Sequence, residues 1–436
     1  MKRVLIITYY WPPSGGSGVQ RWMYFAKYLS DFGITPYVIT VNESEASYKT
    51  LDESFRKQVE HVKTYRTSTF ELIRFYSKMV TGDSNKAIPM GFAGDKKHGV
   101  FQKFSRYIRG NYFIPDARIG WNKYAISKAR EVIRDEKIDL VITTGPPHST
   151  HLIGLALKQE LSIPWFADFR DPWTEVYYNT MMYRSARADK KDKQLESNVL
   201  ENADAVLTIG PSMKQLLQNK LKEKHEKVHA ILNGYDAGIF KGLHRTRTDR
   251  DSFIIAHIGV LGEMQPITTF LKAVSKLLQE SPQLEQLLLF RIIGNVSAVV
   301  LEEVRSITPR LKLEVISYVP HKEALNHMMN ADLLFNSLAE TPGSKLLISG
   351  KLMEYIASGR AILALGDPEG DAAMLLQDMK HARVLSRNDE QGIKLYLENI
   401  ISEWKAGTLD ANRQDIEKYS RYEITRELAG LINSIG

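Results

Sequence analysis

Four stretches of this chain hold residues whose types and spacing could do chemistry. The first is Asp168-Phe169-Arg170-Asp171-Pro172-Trp173. Two carboxylates flank an arginine, with aromatic rings beside them. Carboxylates accept hydroxyl hydrogen bonds, a guanidinium grips an anion through two parallel bonds, and aromatic faces suit the CH face of a sugar. Asp168, Arg170 and Asp171 are therefore candidate catalytic residues, and Trp173 a candidate acceptor contact. The plainer alternative is an internal salt bridge that pins the loop. The second stretch is Gly145-Pro146-Pro147-His148-Ser149, where His148 is a candidate ligand contact and catalytic group. Ser149 or Thr150 reads as a helix N-cap, and His151 as structural.

The third stretch is Tyr9-Tyr10-Trp11-Pro12-Pro13-Ser14-Gly15-Gly16-Ser17-Gly18. Free backbone N–H groups at Gly16, Ser17 and Gly18 can hold an anion at a helix start, with Trp11 as an acceptor contact. Neither a Walker motif nor the tight GxGxxG placement is present. The fourth runs from Glu340 to Arg360. Gly343-Ser344-Lys345 forms a loop, and Lys351 and Glu354 stand at i, i+3 on a helix whose neighbours are apolar. A charged pair on a mostly buried helix needs a reason. A lysine could counter a diphosphate and a carboxylate could hold a ribose diol. Gly370-Asp371-Ala372 adds a second loop at a helix start, again apt for phosphate.

These residues need a frame that puts strand ends on one side. Strand-type runs are read at Arg3–Thr8, Pro36–Val41, Lys63–Arg66, Leu140–Thr144, Pro164–Asp168, Ala205–Ile209 and Val228–Leu232. A second series follows at Phe253–Ile258, Leu287–Ile293, Leu313–Tyr318, Leu333–Asn336, Ala361–Leu365 and Ala382–Leu385. Helical patterns separate them, which predicts an α/β chain with parallel sheets covered on both faces. The expected organisation is a Rossmann-like lobe over 1–238, a polar linker at 239–252, a second such lobe over 253–410, and C-terminal helices over 411–436 that return to the first lobe. Ligands bind beyond the carboxyl ends of such strands, so two lobes are expected to face a central cleft there.

The 436 residues include no cysteine, which excludes disulfides, thiolate metal sites and a cysteine nucleophile. No apolar run is long enough to span a membrane, and the N-terminus does not read as a signal peptide, so a cytoplasmic protein is expected. The formal charge of +7 is concentrated. Residues 54–125 hold fourteen Lys or Arg against five Asp or Glu, and read as a basic helical insert. Within it, His98–Arg109 sets Phe101, Phe104, Tyr107 and Ile108 on one helical face, with Lys103, Arg106 and Arg109 beside them. That pattern predicts an interfacial helix at an anionic membrane, its alternative being a core-facing helix with a solvated rim. A nucleic-acid partner is not expected, since no recognised binding motif accompanies the charge.

At these residues the sequence resembles the GT-B glycosyltransferases, and among them the retaining glycosyltransferase family 4. The glycine-rich first loop is similar to the family's. Asn202-Ala203-Asp204-Ala205-Val206, Ile231-Leu232-Asn233-Gly234-Tyr235-Asp236 and Lys351-Leu352-Met353-Glu354-Tyr355-Ile356-Ala357-Ser358-Gly359-Arg360 resemble its motifs, and the Asp168–Trp173 segment resembles a bacterial surface-polysaccharide branch. The resemblance implies a two-lobed fold and transfer of a sugar from a nucleoside-diphosphate donor, UDP- or GDP-linked. The acceptor would be a saccharide or lipid-linked saccharide, with retention, without a bound metal or other cofactor, and at the inner membrane face. It implies a ribose contact for Glu354.

Three departures stand out. Leu346 occupies the position of the family's first paired glutamate, for which Glu340 is a candidate replacement. Gly259–Pro266 lacks the Arg and Lys that clamp the diphosphate, leaving Lys345, Lys351 or Arg360 to act. Arg170-Asp171 stands where the family has a catalytic histidine. Two other readings remain open at this point: a nucleotide-sugar epimerase, and a degraded sugar-nucleotide-binding homologue.

Overall fold

Runs such as Val4-Leu5-Ile6-Ile7 lose all exposure, which a strand achieves only when helices cover both faces of its sheet. A computed structural model shows two such sheets. It describes residues 1–48, 50–70, 100–176, 179, 181–409 and 416–435. The chain divides into two compact units, one of Met1–Asn233 with Arg421–Gly436, the other of Gly234–Ser420.

The first unit carries a parallel sheet in the order β3-β2-β1-β4-β5-β6-β7. Its strands are β1 (Lys2–Ile7), β2 (Ile34–Val41), β3 (Lys63–Thr67), β4 (Leu140–Gly145), β5 (Trp165–Phe169), β6 (Ala205–Thr208) and β7 (Val228–Ala230). The strand order reverses between β1 and β4, so the loops after these two strands splay apart and leave a crevice. Val4 pairs with Leu140 across that point, and Thr144 on β4 lies level with Asp168 on β5. The C-terminal helix Arg421–Ser434 belongs to this unit. Its Ile424, Leu428 and Ile432 join the core cluster that holds Trp22 and Phe25 of the helix Ser17–Leu29. Lys2 ties the end down by donating to the carbonyls of Ile432 at 2.8 Å and Ile435 at 2.6 Å.

The second unit repeats the plan in the order β10-β9-β8-β11-β12-β13. Here β8 is Phe253–Ile258, β9 Leu288–Ile293, β10 Lys312–Ile316, β11 Leu333–Ser337, β12 Ala361–Gly366 and β13 Ala382–Ser386. All pairings are parallel, and the reversal falls between β8 and β11. Phe270, Phe290 and Phe335 pack under the sheet, Phe270 stacking on Phe335 with centroids 4.2 Å apart.

The stretch 239–252 is not a free tether. Arg245 and Arg247 bind the two oxygens of the fully buried Asp332 at 2.7 and 2.8 Å, which fastens the stretch to the second unit. Its polarity misleads because two arginines face inward onto one carboxylate. Of the basic region, 71–99 lies outside the described residues, while the helix Val100–Tyr112 is described. Residues 410–415 and 436 of the expected C-terminal segment also lie outside them.

Candidate active site

In the first unit the loops after β1, β4 and β5 are joined by one side chain, Arg170. Its Nε donates to the Gly145 carbonyl at 3.1 Å, and its two terminal nitrogens meet the carbonyls of Gly18 and Pro146. Gly18 admits this because a Cβ there would stand 3.0 Å from the guanidinium. Burial pulls the guanidinium below its ordinary pKa, and Asp168 and Asp171 oppose the shift. Asp171 reaches solvent, yet desolvation raises its carboxyl against the pull of Arg170.

Asp168 lies beneath this bridge, fully buried. It receives Arg21 Nη2 at 2.9 Å, Trp22 Nε1 at 2.6 Å and Thr144 Oγ1 at 2.8 Å. Arg21 also donates to the Ile231 and Leu232 carbonyls at 2.8 and 3.1 Å. The pair ties the first helix to β5 and to the chain beyond β7. Beside it, His148, His151, Phe169 and Trp173 form an aromatic stack, with His148 and Trp173 at 5.1 Å and 12° and His151 and Phe169 at 4.5 Å and 17°. Burial, then the charges of His151 and Arg170, push His148 well below the usual histidine range. Burial, then Arg170, brings His151 to about 3. Both rings are therefore neutral at physiological pH, and His148 is a latent base lodged among aromatics.

In the second unit the helix Gly350–Ser358 presents Lys351 and Glu354 at the carboxyl ends of the strands. Lys351 lies against Gly259, the residue after β8, where a Cβ would come within 2.5 Å of Cε and Nζ. Gly259 has φ +113°, open to glycine and strained for other residues. Desolvation lowers the Lys351 pKa, with Glu354 opposing. Glu354, half-buried, accepts from or pairs with His321 Nε2 at 2.9 Å. His257 underlies the group, fully buried, with Nδ1 3.1 Å from the Phe335 carbonyl and Nε2 3.2 Å from that of Val260. The arrangement holds a half-buried cation and a carboxylate beside a bare stretch of backbone, which is what an anionic, hydroxyl-bearing ligand requires.

Residues 91–238 match the model of Glycosyltransferase Family 4. Over the whole chain the fold is similar to that of HepE from Anabaena in complex with UDP-glucose, at 13% identity and TM-score 0.57 with all of both chains covered. It is also similar to sucrose-phosphate synthase from Thermosynechococcus elongatus, at 12% identity and TM-score 0.61, covering 100% of this chain and 99% of that one. The lipopolysaccharide outer core galactosyltransferase WaaB aligns at 10% identity and TM-score 0.58, covering 100% and 99%. No curated protein sequence matches the chain. The chain has the two-sheet GT-B fold, and its residues 91–238 match Glycosyltransferase Family 4. At these identities the solved structures speak for the fold, and the family match covers the β4–β7 half of the first unit.

On this GT-B frame several sequence expectations change. Trp11 and Trp173 are each 2% exposed and cannot stack on an acceptor. Trp11 fills the core, and Trp173 donates to Asp192 at 2.8 Å. Asp168 has its oxygens taken by internal donors, so it is an anchor and not a group that reaches substrate. Arg360 stands before β12, roughly 20 Å from that strand's carboxyl end at about 3.3 Å per residue, and cannot clamp a diphosphate there. Asp371 and Ala372 are buried at 1% and 2%, so their side chains are not presented to a ligand. Gly370 packs close under the Lys345 carbonyl, 3.1 Å from where its Cβ would be. Lys345 is exposed, 3.7 Å from Glu369, and Ser344 follows Gly343, whose φ is +85°. Glu340 is exposed.

Gly16, with φ +96°, opens the helix Ser17–Leu29, and a Cβ there would meet open space. The Ser17 side chain and that of Lys103 lie outside the described residues. Arg106 and Arg109 are half-buried on the helix Val100–Tyr112, which docks through Gly110 onto the Met182 carbonyl. Tyr107 and Tyr112 remain exposed at 44% and 75%. No described helix is long and apolar enough to cross a membrane. Among the described residues no group of three His, Asp or Glu is placed to hold a metal ion. Sequence reading missed Arg21 and His257, which sit inside apolar periodic runs and carry no motif.

Proposed function

We propose that this chain is a glycosyltransferase that takes its sugar from a nucleoside-diphosphate donor held by the second unit. The observation that carries the reading is Lys351 pressed against Gly259 at the end of β8, with Glu354 three residues on. A half-buried ammonium is costly to desolvate unless an anion completes its surroundings, and a diphosphate does so. Glu354 is suited to the ribose diol. Backbone N–H groups near Gly343 and Gly370 supply further donors to the leaving phosphate, which would let the departing charge be met without a metal. A UDP- or GDP-linked donor fits this set, and HepE, similar in fold, was solved with UDP-glucose.

The acceptor, a saccharide or a lipid-linked saccharide, would then meet the strand ends of the first unit. Arg170 holds the three loops there and the exposed Asp171 carboxyl, with its raised pKa, is placed to receive a hydroxyl proton. His148 would join only if substrate opened the aromatic stack. The helix Val100–Tyr112, with exposed tyrosines beside arginines, would lie on an anionic membrane surface, in keeping with surface-polysaccharide synthesis and a peripheral position. Retention of configuration is part of this reading.

The test is thermal-shift binding against UDP, GDP, ADP, TDP and CMP, with Glu354→Ala and Lys351→Gln alongside. One nucleoside diphosphate should stabilise the protein, and either substitution should weaken its binding at least tenfold. A protein that responds to none of them is not a nucleotide-sugar transferase of this design. With a donor identified, proton NMR of the product's anomeric centre settles retention.

A further inference from the structure

The second sheet splits where its strand order reverses. β8 and β11 pair only at Ile255 with Leu333 and at Ala256 with Leu334, and then part toward their carboxyl ends. Two side chains bridge the split. Tyr355, from the helix that carries Lys351 and Glu354, accepts from the Ile258 amide at 3.1 Å and donates to the Phe335 carbonyl at 3.4 Å. His257 is the other. It is fully buried, with Nδ1 3.1 Å from the Phe335 carbonyl and Nε2 3.2 Å from the Val260 carbonyl.

Both neighbours of the ring are acceptors. A neutral imidazole has one N–H, so at one of these carbonyls it sets a lone pair against a lone pair, and only the imidazolium serves both. The carbonyls' other side-chain donors are long, Tyr355 Oη to Phe335 and Lys351 Nζ to Val260 each spanning 3.4 Å. Lys351 is also the charge that bears on the ring. Burial first, and then that ammonium, hold His257 down at about 4. Among the described residues the other elements packed here bring no charge to it. Ile292 of β9 lies level with it, and the ring of Phe335 on β11 stands 6.5 Å away. The helix Thr268–Glu280 packs Phe270 on Phe335 and leaves Lys272, Lys276 and Glu280 exposed. The helix His321–Met329 turns His327 toward Arg291, Glu314 and Glu323, and His321 toward Glu354.

We infer, given the nucleoside-diphosphate reading of this site, that His257 is its proton-linked positioning residue: when an anion settles on Lys351, the ring takes up a proton and holds the Val260 and Phe335 carbonyls together. The anion cancels the opposing charge. It also draws the ammonium off the Val260 carbonyl, which leaves that oxygen to Nε2. Two charge-assisted bonds then close the split beneath the loop that begins at Gly259. The liganded protein binds the proton more readily than the free one, so affinity for the anion rises as pH falls from 7.5 to 5.5.

Calorimetry of the full chain with UDP and with GDP, in two buffers of different ionisation enthalpy, counts the protons taken up. At pH 5.5 the wild type should take up about half a proton or more per nucleotide beyond His257→Gln, and between pH 7.5 and 5.5 its affinity should gain about threefold over the variant. The phosphates of the nucleotide titrate alike with both proteins, so the difference belongs to the ring. Nitrogen-15 NMR of histidine-labelled wild type needs no variant. The nucleotide should convert one ring, with N–H protons shielded from solvent exchange, from the singly to the doubly protonated form at pH 5.5. Equal proton counts in wild type and variant, or no ring that changes form, overturns the inference while nucleotide binding stands. A protein that binds neither UDP nor GDP at any pH overturns the donor reading and the inference with it.

Discussion

A Cβ on Gly259 would stand 2.5 Å from the ammonium of Lys351, so the backbone after β8 and the lysine of a distant helix share one space. The lysine can approach only because the strand ends on a residue without a side chain. Gly259→Ala should therefore act twice. The φ of +113° is strained for alanine, which together with the steric conflict should cost about 1–3 kcal/mol of stability. Displacing Lys351 should also weaken nucleoside diphosphate binding about tenfold, roughly 1.4 kcal/mol. Urea unfolding and calorimetry check the two effects separately. A variant that loses stability but binds the nucleotide as before would remove Lys351 from the donor site.

Asp168 was a catalytic candidate on sequence and is an anchor in the structure. Asp168→Asn should leave the Arg21 guanidinium buried with half its partner gone, at a cost of about 3–5 kcal/mol for breaking a buried pair. Replacing both members, as Asp168→Leu with Arg21→Met, should recover part of that loss, since apolar residues of similar size need no counter-charge. Denaturant midpoints on the two single variants and the double variant form the cycle. A stable Asp168→Asn protein that binds donor but transfers nothing would return Asp168 to the reaction.

Three buried histidines set the acid limit of stability. Burial, then Lys351, lowers His257 to about 4; burial, then Arg170, lowers His151 to about 3; His148 is also held well below its ordinary value. Each binds a proton in the unfolded chain near pH 6.5 but not in the folded one. The unfolded state therefore gains protons first as pH falls, and stability is full above about pH 6.5 and declines below it. The loss through His257 levels off near pH 4, at up to about 3 kcal/mol, and that through His151 near pH 3, at up to about 5 kcal/mol. Urea midpoints from pH 7.5 to 4 should slope downward, and His257→Gln should flatten the slope. A midpoint independent of pH across that window would mean these rings are solvated or paired in the folded state.

The fold was legible because fully buried strands announce themselves as short apolar runs between helical patterns, and all thirteen expected strands overlap the observed ones. The site was legible only as loops. Lys351 and Glu354 stood out because charges on an apolar helix have few structural uses. Trp11 and Trp173 misled because Pro, Gly and Asp around them read as exposed turns, whereas both rings point back into the core. Arg21 was invisible because nothing local marks it. Its partner stands 147 residues away, and only the sheet order β1-β4-β5 brings the two together. The arginines of 239–252 read as part of a polar linker for the same reason, their carboxylate lying more than 80 residues on.

Arg170 offers the last check, because its role is mechanical before it is chemical. One guanidinium accounts for a bond to each of three carbonyls, those of Gly18, Gly145 and Pro146, and so fixes the loops after β1 and β4 against β5. Lysine keeps the charge but has no planar fork and cannot serve three acceptors in that geometry. Arg170→Lys should therefore free those loops while leaving the cores of both units intact. Backbone amide exchange at 15–18 and 147–150 should rise about tenfold, a loss of roughly 1.4 kcal/mol of local protection. Melting temperature should fall only slightly, nucleoside diphosphate affinity should not change, and sugar transfer should drop with the loosened loops. Unchanged exchange in those two segments would show that the carbonyls hold their loops without Arg170, and would leave Asp171 and His148 positioned by the turns alone.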